Sequence, residues 1–171
     1  CQAVQFNQFI IFKALIERGV TEYSSYGVSV MNAICSSKNK SFFEYSFENR
    51  EKFHMDFTSP LKNGLTPLHS ACVSGNLDIV KKLIENNADP ELRTMKENSC
   101  LHFACQSNNI DMVNYIFSIC DTSKIDDMNN SKITPLIVAI RKQNIEIVKL
   151  VLSQKSLTDY SNQKDFHFIF F

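Results

Sequence analysis

Two His-x-x-Cys pairs are the residues of this sequence best suited to chemistry. They are His69 with Cys72, and His102 with Cys105. On a helix, residues three apart share a face, so each pair offers an imidazole and a thiolate to one side of a tetrahedral zinc ion. The same segment occurs a third time, however, with Ile137 and Ile140 at these two positions. Since aliphatic side chains pack but cannot ligate, we predict that these positions serve packing and that the protein binds no metal.

The rest of the sequence contains no recognisable catalytic set. It has no G-x-S-x-G, no glycine-rich phosphate loop and no H-E-x-x-H. Asp126 and Asp127 are adjacent, and adjacent side chains point apart too readily to form an acid/base pair, so a solvated turn is expected there. We therefore predict that the protein is not an enzyme and that it uses no cofactor.

The cysteines indicate a reducing compartment. There are six of them: Cys1, Cys35, Cys72, Cys100, Cys105 and Cys120. An even number is compatible with disulfides in a short secreted chain, but this chain is longer and its cysteines lie within apolar helical patterns such as Ser70–Val73. We expect buried, reduced thiols that behave as small apolar side chains in a cytoplasmic protein.

Composition removes two classes of function. The 171 residues include 18 Lys+Arg and 18 Asp+Glu, so the chain lacks the strongly basic character of a nucleic-acid-binding domain. No apolar run approaches the ~18 residues that a membrane-spanning helix needs. With 44% hydrophobic residues the chain has enough apolar side chains for a sizeable core. We predict neither a nucleic-acid partner nor a membrane span.

A repeating segment organises the chain. Gly64–Cys72 recurs at 98–105 and again at 133–140. Within it Leu68 and Leu101 are 33 residues apart, and Leu101 and Leu136 are 35 apart. The segments that follow also align with one another: they are 76–84, 109–117 and 144–152. A shared period of this length predicts a solenoid of stacked repeat units.

Each unit is predicted to contain two helices. Thr66-Pro67 is typical of a helix start, because the hydroxyl caps free backbone N–H groups and proline suits the first helical position. Gly75-Asn76 favours the positive φ of a tight link between helices. In the second helix Ile79, Val80 and Leu83 fall on one stripe. We expect these residues to be buried with their counterparts: Leu68, Ala71, Leu101, Ala104, Val113, Ile116, Leu136, Ala139, Val148 and Val151.

The unit resembles the ankyrin repeat. The pattern G-x-T-P-L-H-x-A, a two-residue link, a -V-x-x-L- helix and an -A-D- loop all occur within Gly64–Asp89. The later copies depart from it at Ser99-Cys100, which replace Thr-Pro, and at Ile137, which replaces His. Glu97 and Lys132 replace the glycine of the hairpin turn. The resemblance implies an all-α ankyrin-repeat solenoid of stacked helix-turn-helix units with hairpin-like loops.

The flanks resemble decayed copies of the same unit. Gly27–Cys35 aligns without gaps onto Gly64–Cys72, and the Arg50–Ser59 loop then carries about four extra residues. The Phe-rich tail at 166–171 is expected to begin a truncated repeat or to fold over the last helix pair; a membrane-surface anchor or a peptide ligand is the alternative. We predict one domain over 1–171, divided as follows: a partial degenerate repeat at 1–25, a degenerate repeat at 26–60, repeats at 61–94, 95–128 and 129–161, and a stub at 162–171.

The resemblance also implies a function, since ankyrin repeats are protein-binding modules. Carried over by alignment, the family's usual contact positions fall on the hairpins and on the first helices. They are Lys62, Asn63, Leu65, Val73, Ser74, Arg93, Met95, Lys96, Asn98, Gln106, Ser107, Asn130, Ser131, Ile133, Arg141 and Lys142. Five of these are cations and none is an anion, so we predict a basic concave face and a protein partner that is acidic at the contact.

Two functions remain compatible with the sequence. The first is a scaffold or adaptor that binds its partner through the concave face. The second is a targeting or regulatory module of a larger multidomain protein whose catalytic domain is absent from this sequence.

Overall fold

The computed structural model describes residues 9–19, 29–37, 39–121 and 124–154. These residues form nine α-helices and no strand, which confirms the all-α prediction. No helix in the described ranges is long and apolar enough to cross a bilayer. The helices are α1 (Phe9–Glu17), α2 (Val30–Ser36), α3 (Lys40–Glu48), α4 (Pro67–Ser74), α5 (Leu77–Glu85), α6 (Cys100–Gln106), α7 (Ile110–Ile119), α8 (Pro135–Arg141) and α9 (Ile145–Gln154).

The helices stack in pairs, and each pair contacts its neighbours in the chain. The first helices, α2, α4, α6 and α8, pack directly on one another in that order. The second helices of the pairs contact one another more sparsely. The first helices therefore form the more closely packed side of the stack.

Short polar residues start the first helices as the sequence predicts. The Thr66 hydroxyl accepts from the His69 N–H at 3.2 Å, and Pro67 is the first helical residue of α4. Thr134 accepts in the same way from the Ile137 N–H at 3.2 Å. These bonds satisfy backbone donors that the first turn of a helix leaves free.

Asparagines in the links between paired helices tie successive units together. The Asn76 amide donates to the carbonyls of Cys35 and Ser37 at 3.1 and 2.9 Å. One unit later, Asn109 donates to the Gly75 carbonyl at 3.1 Å while its Oδ1 caps α7. These side chains satisfy backbone carbonyls at the end of the preceding first helix, so each link is held by the unit that follows it.

Left-handed backbone recurs at equivalent positions whether or not glycine is present. In the hairpins Gly64, Glu97 and Lys132 have φ of 77°, 60° and 58°. In the links between helices the positions with positive φ are Gly75, Asn108 and Gln143. Glutamate and lysine rarely adopt this conformation on their own, so the surrounding units impose it.

The core forms one continuous cluster along the stack. Every residue of the predicted core is buried except Val148, which is half-buried. Its counterparts Val80 and Val113 are fully buried and each is followed by a further helix pair, whereas no helix pair follows α9 in the described ranges. The prediction that Val148 is buried was therefore wrong. In that turn of α9 the fully buried residue is Ile147.

Aromatic residues fill the core of the first units. Phe42 is fully buried, and its ring lies 4.7 Å from that of Phe12 and 5.8 Å from that of Phe9. Ser46 occupies the position that Leu83 holds in the next unit; it is fully buried, and its hydroxyl has no hydrogen-bond partner. A buried hydroxyl without a partner lowers the stability of the fold. The burial of the neighbouring aromatic rings offsets this loss.

The longer loop between α3 and α4 is ordered by its own contacts. Met55 and Phe57 are buried against α3, where the rings of Phe57 and Phe43 are 5.6 Å apart. The Met55 N–H donates to the Arg50 carbonyl at 2.8 Å, and His54 takes a positive φ of 51°. The extra residues thus fold back as a compact turn.

Three of the sequence predictions fall on residues outside the described ranges. These are the two ends of the partial repeat at 1–25, the first residues of the degenerate repeat at 26–60, and the stub at 162–171 with its Phe-rich tail.

Candidate functional site

The hairpin tips of three successive units lie side by side. We call residues 62–64, 95–97 and 130–132 the tip row. The Met95 N–H donates to the Asn63 carbonyl at 2.9 Å, and the Asn130 N–H donates to the Lys96 carbonyl at 3.0 Å. These backbone bonds fix the order and the spacing of the three tips.

Each tip is also closed internally in the same manner. The Leu61, Thr94 and Asn129 N–H groups donate to the carbonyls of Leu65, Asn98 and Ile133 at 2.9 to 3.1 Å. A second bond closes each turn at the left-handed residue, as from the Gly64 N–H to the Leu61 carbonyl at 2.8 Å. The backbone of the tip row is therefore preorganised, and only its side chains remain to be ordered on binding.

The tip row and the carboxyl-terminal ends of the first helices, at 73–74, 106–107 and 141–142, make up what we call the concave face. None of the contact residues predicted from the sequence is buried. The exposed ones are Lys62, Asn63, Met95, Lys96, Gln106, Asn130, Ser131, Arg141 and Lys142. The half-buried ones are Leu65, Val73, Ser74, Arg93, Asn98, Ser107 and Ile133.

Arg93 differs from the other predicted cations. Its guanidinium forms an ion pair with Asp127 of the next unit. Asp126 and Asp127 are both half-buried, so the predicted solvated turn is partly exposed to solvent, and this ion pair holds Asp127. The charge of Arg93 is thereby balanced within the array, and it adds little to the field on the concave face.

Two charged residues of the tip row were missed by the sequence analysis. Lys132 and Glu97 are both exposed, at the left-handed position where glycine is usual. That position was treated as a turn residue and not as a contact residue. With both included, the concave face carries one exposed acid, Glu97, and five exposed cations: Lys62, Lys96, Lys132, Arg141 and Lys142.

Acidic residues of the same units are concentrated away from the concave face. Asp78 pairs with Lys40, which lowers the pKa of the Asp78 carboxyl by a direct hydrogen bond. Glu91 accepts from Lys124 at 2.7 Å, and this contact likewise lowers the pKa of Glu91. The neutral total charge of the chain therefore conceals an uneven distribution.

Two histidines, one on α4 and one on α6, connect their first helix to a later loop: His69 to the loop before the next hairpin, and His102 to the end of the next hairpin. In the first case the Thr66 N–H donates to His69 Nδ1 at 3.1 Å, and His69 Nε2–H donates to the Leu92 carbonyl at 3.0 Å. His102 accepts in the same way from the Ser99 N–H at 3.2 Å, but its Nε2–H donates to the Ile133 carbonyl at 3.0 Å, at the end of the next hairpin. Both ring nitrogens of each histidine are occupied, so each imidazole is a structural tie.

Comparison with known families identifies the unit. A family model described as ankyrin repeats in three copies matches residues 1–94 and 91–164. The chain belongs to the ankyrin-repeat family. Ankyrin repeats are generally protein–protein interaction modules and are typically not catalytic. A comparison with curated proteins finds no match.

The cysteines of the described part of the ankyrin array are free thiols with low reactivity. Cys35, Cys72, Cys100 and Cys105 are buried, and Cys120 is half-buried. Burial raises the pKa of Cys105 to about 12. A hydrogen bond with the Cys72 thiol, and then burial, raise the pKa of Cys100 well above its usual range. Cys100 and Cys105 are therefore protonated at neutral pH, whereas metal ligation and nucleophilic attack need the thiolate.

The prediction that the array binds no metal is open to direct measurement. Within the described residues no cluster of three or more His, Cys, Asp or Glu side chains is placed to hold an ion. Because both nitrogens of His69 and His102 are engaged, we expect elemental analysis of purified protein to find no stoichiometric zinc. A chelator should leave the melting temperature unchanged. Stoichiometric zinc that a chelator removes with loss of stability would contradict this prediction.

His102 should make the array less stable in mild acid. Burial lowers the pKa of His102 from its ordinary value of 6.5. The unfolded chain therefore takes up a proton before the folded chain does, so the contribution of His102 is complete above pH ~6.5 and is lost as the pH falls toward the folded-state pKa. Protonation at Nδ1 would also set an N–H against the Ser99 N–H that donates to it. We expect the free energy of unfolding, measured with urea, to fall between pH 7 and pH 5.

Two variants separate His102 from other sources of pH dependence. His102→Asn should flatten the profile, since Asn32 already occupies the equivalent position in an earlier unit. His54→Asn is the matched control, because His54 is exposed and asparagine tolerates its positive φ. An unchanged profile in His102→Asn would show that His102 does not carry the effect.

Proposed function

We propose that this ankyrin array is a scaffold or adaptor that binds a partner protein through its concave face. The partner is acidic where it docks. The observation that carries the proposal is the set of exposed cations on that face: Lys62, Lys96, Lys132, Arg141 and Lys142. A groove with charge of one sign raises the association rate and selects partners of the opposite sign.

The cysteines support a cytoplasmic setting for this function. Four of the described thiols are buried and unpaired, as in proteins that fold under reducing conditions. We also propose that residues 1–171 form one array with the repeat boundaries given above. The array would supply recognition and no chemistry of its own.

Charge reversal at the end of α8 should weaken partner binding. Arg141→Glu with Lys142→Glu replaces two attractions by two repulsions at exposed positions, so folding should hardly change. Single exposed pairs contribute only ~0.2–1 kcal/mol, which is why the double variant is used. We expect affinity for the partner to fall at least about fivefold. The loss should shrink at high salt, where charges are screened.

The experiment needs a comparison in parallel. Wild-type array, the Arg141→Glu/Lys142→Glu variant and a control variant, Lys82→Glu/Lys149→Glu, are used as baits on one lysate. Lys82 and Lys149 are exposed on second helices, so the control matches the charge change on a different side. Proteins retained by wild type and control but lost from the double variant are the partners, whose affinities are then measured. Binding that survives in a well-folded double variant would overturn the proposed docking face.

A further inference from the structure

Each tip of the tip row carries one lysine, and the lysine moves one position along the tip from one unit to the next. Lys62 is the second residue of its tip unit, Lys96 the third and Lys132 the fourth, counted from Leu61, Thr94 and Asn129. All three side chains are exposed, and none pairs with an acid among the residues that the structure describes. The three ammonium groups are therefore free to meet a ligand.

The spacing of these cations is set by the stack. Packed helices lie about 8–10 Å apart, and the tips follow the same step because backbone hydrogen bonds join them. An extended chain advances about 3.3 Å per residue. Three residues of an extended segment thus cover about one unit of the array, from these two spacings.

Met95 gives the middle tip an apolar feature. Two hydrogen bonds hold its backbone. The Met95 N–H donates to the Asn63 carbonyl, and the Asn130 side-chain amide donates to the Met95 carbonyl at 3.0 Å. Its side chain, however, is 70% exposed. A methionine side chain adapts readily to apolar partners, and this one lies on a rigid backbone between cations.

We propose that the tip row binds an extended acidic segment of a partner protein, with an acidic residue at every third position and an apolar side chain against Met95. This inference rests on the proposed function and specifies the partner's chemistry and register. An extended segment fits because backbone hydrogen bonds join the three tips in one row, and each tip carries one exposed lysine. Glu97, the one acid of the row, lies next to Lys96 and limits the binding of ligands with a denser negative charge.

Two synthetic peptides of equal composition test the register. The spaced peptide carries Asp at every third position with a central Leu, and the clustered peptide carries the same Asp residues together at one end. Affinity for the full chain is measured by fluorescence polarisation. We expect the spaced peptide to bind at least about threefold more tightly, since one misplaced exposed pair is worth ~0.2–1 kcal/mol. Equal affinities would overturn the register.

Variants of the tip row test the site itself. The double variant Lys62→Glu/Lys132→Glu should lower the affinity for the spaced peptide at least about fivefold, because two attractions become repulsions. Glu97 shows that glutamate is accommodated at the left-handed position of Lys132. Met95→Ala should weaken the same peptide by about two- to threefold, as for a partly exposed apolar contact. Lys82→Glu with Lys149→Glu is the matched control and should bind as wild type does; thermal melts check that all variants fold.

The outcomes distinguish this inference from the proposed function. Suppose that neither peptide binds, but that a partner protein binds the wild-type array and not the Arg141→Glu/Lys142→Glu variant. The proposed docking face then stands, and the proposal of an extended acidic ligand is wrong. If the tip-row variant binds the spaced peptide as tightly as wild type does, the site is wrong. Tighter binding of a single-stranded oligonucleotide of the same length would mean that the row selects phosphates, and would also overturn the proposal.

Discussion

Leu101→Ala should lower the free energy of unfolding by roughly 2–5 kcal/mol, the range for a buried leucine. Leu101 is 7% exposed, at the start of α6, and α6 packs against both α4 and α8. A cavity here loosens two interfaces at once, because each unit of a solenoid depends on its neighbours. Urea unfolding followed by circular dichroism measures the change.

Ile145→Ala is the comparison for Leu101→Ala. Ile145 is 67% exposed at the start of α9, so its truncation removes little buried surface. We expect a change within about 0.5 kcal/mol, as for ordinary surface substitutions. Equal losses in the two variants would show that Leu101 is not the core residue that the structure describes.

Gly64→Ala should have a similarly large effect for a different reason. Gly64 has φ of 77°, which costs an alanine about 1–2 kcal/mol. A Cβ at this position would also lie 2.8 Å from Thr94 Cα and 2.9 Å from both the Arg93 carbonyl oxygen and the Met95 nitrogen. These are backbone atoms of the next hairpin and of the residues that lead into it, so the two hairpins must move apart. The clash should also weaken a hydrogen bond between the two hairpins. Together with the backbone strain, we expect the free energy of unfolding, measured by the same urea titration, to fall by about 2–4 kcal/mol.

Gly75→Ala separates backbone strain from the clash. Gly75 has nearly the same φ, 75°, but a Cβ there would meet only side-chain atoms of Asn109 and Ser107 at 3.5 Å or more. Its counterparts Asn108 and Gln143 already carry side chains in this conformation. We expect a loss of about 1 kcal/mol, from strain alone. A Gly64→Ala variant no less stable than Gly75→Ala would argue against the close approach of the two hairpins.

The fold could be predicted from the sequence because its signals repeat. Thr66-Pro67, the spacing of Leu68, Leu101 and Leu136, and the apolar stripe of each second helix are local patterns with local causes. The left-handed backbone of Glu97 and Lys132 could not be derived in this way, since nothing in either side chain favours it. Neighbouring units impose that conformation, and the resemblance to Gly64 is the one signal of it in the sequence.

The candidate site was predictable in position but not in charge balance. Alignment located the exposed ends of the hairpins and first helices, including Met95 and Arg141. The partner of Arg93 could not be anticipated, because Asp127 lies 34 residues away in the chain and reaches it only through stacking of the units. Val148 shows the same limit in the core, since its exposure depends on what packs beyond α9.

The hydrogen bonds between units have a consequence for how quickly the chain folds. Among the described residues, side chains that link units join positions no more than 41 residues apart, as from Asn76 to Cys35. Chains whose contacts are short in sequence close small loops and fold fast. In an array held only by neighbours this separation does not grow with the number of units. Lengthening the array should therefore add stability without imposing a slower search, and folding can start at whichever helix pair forms first.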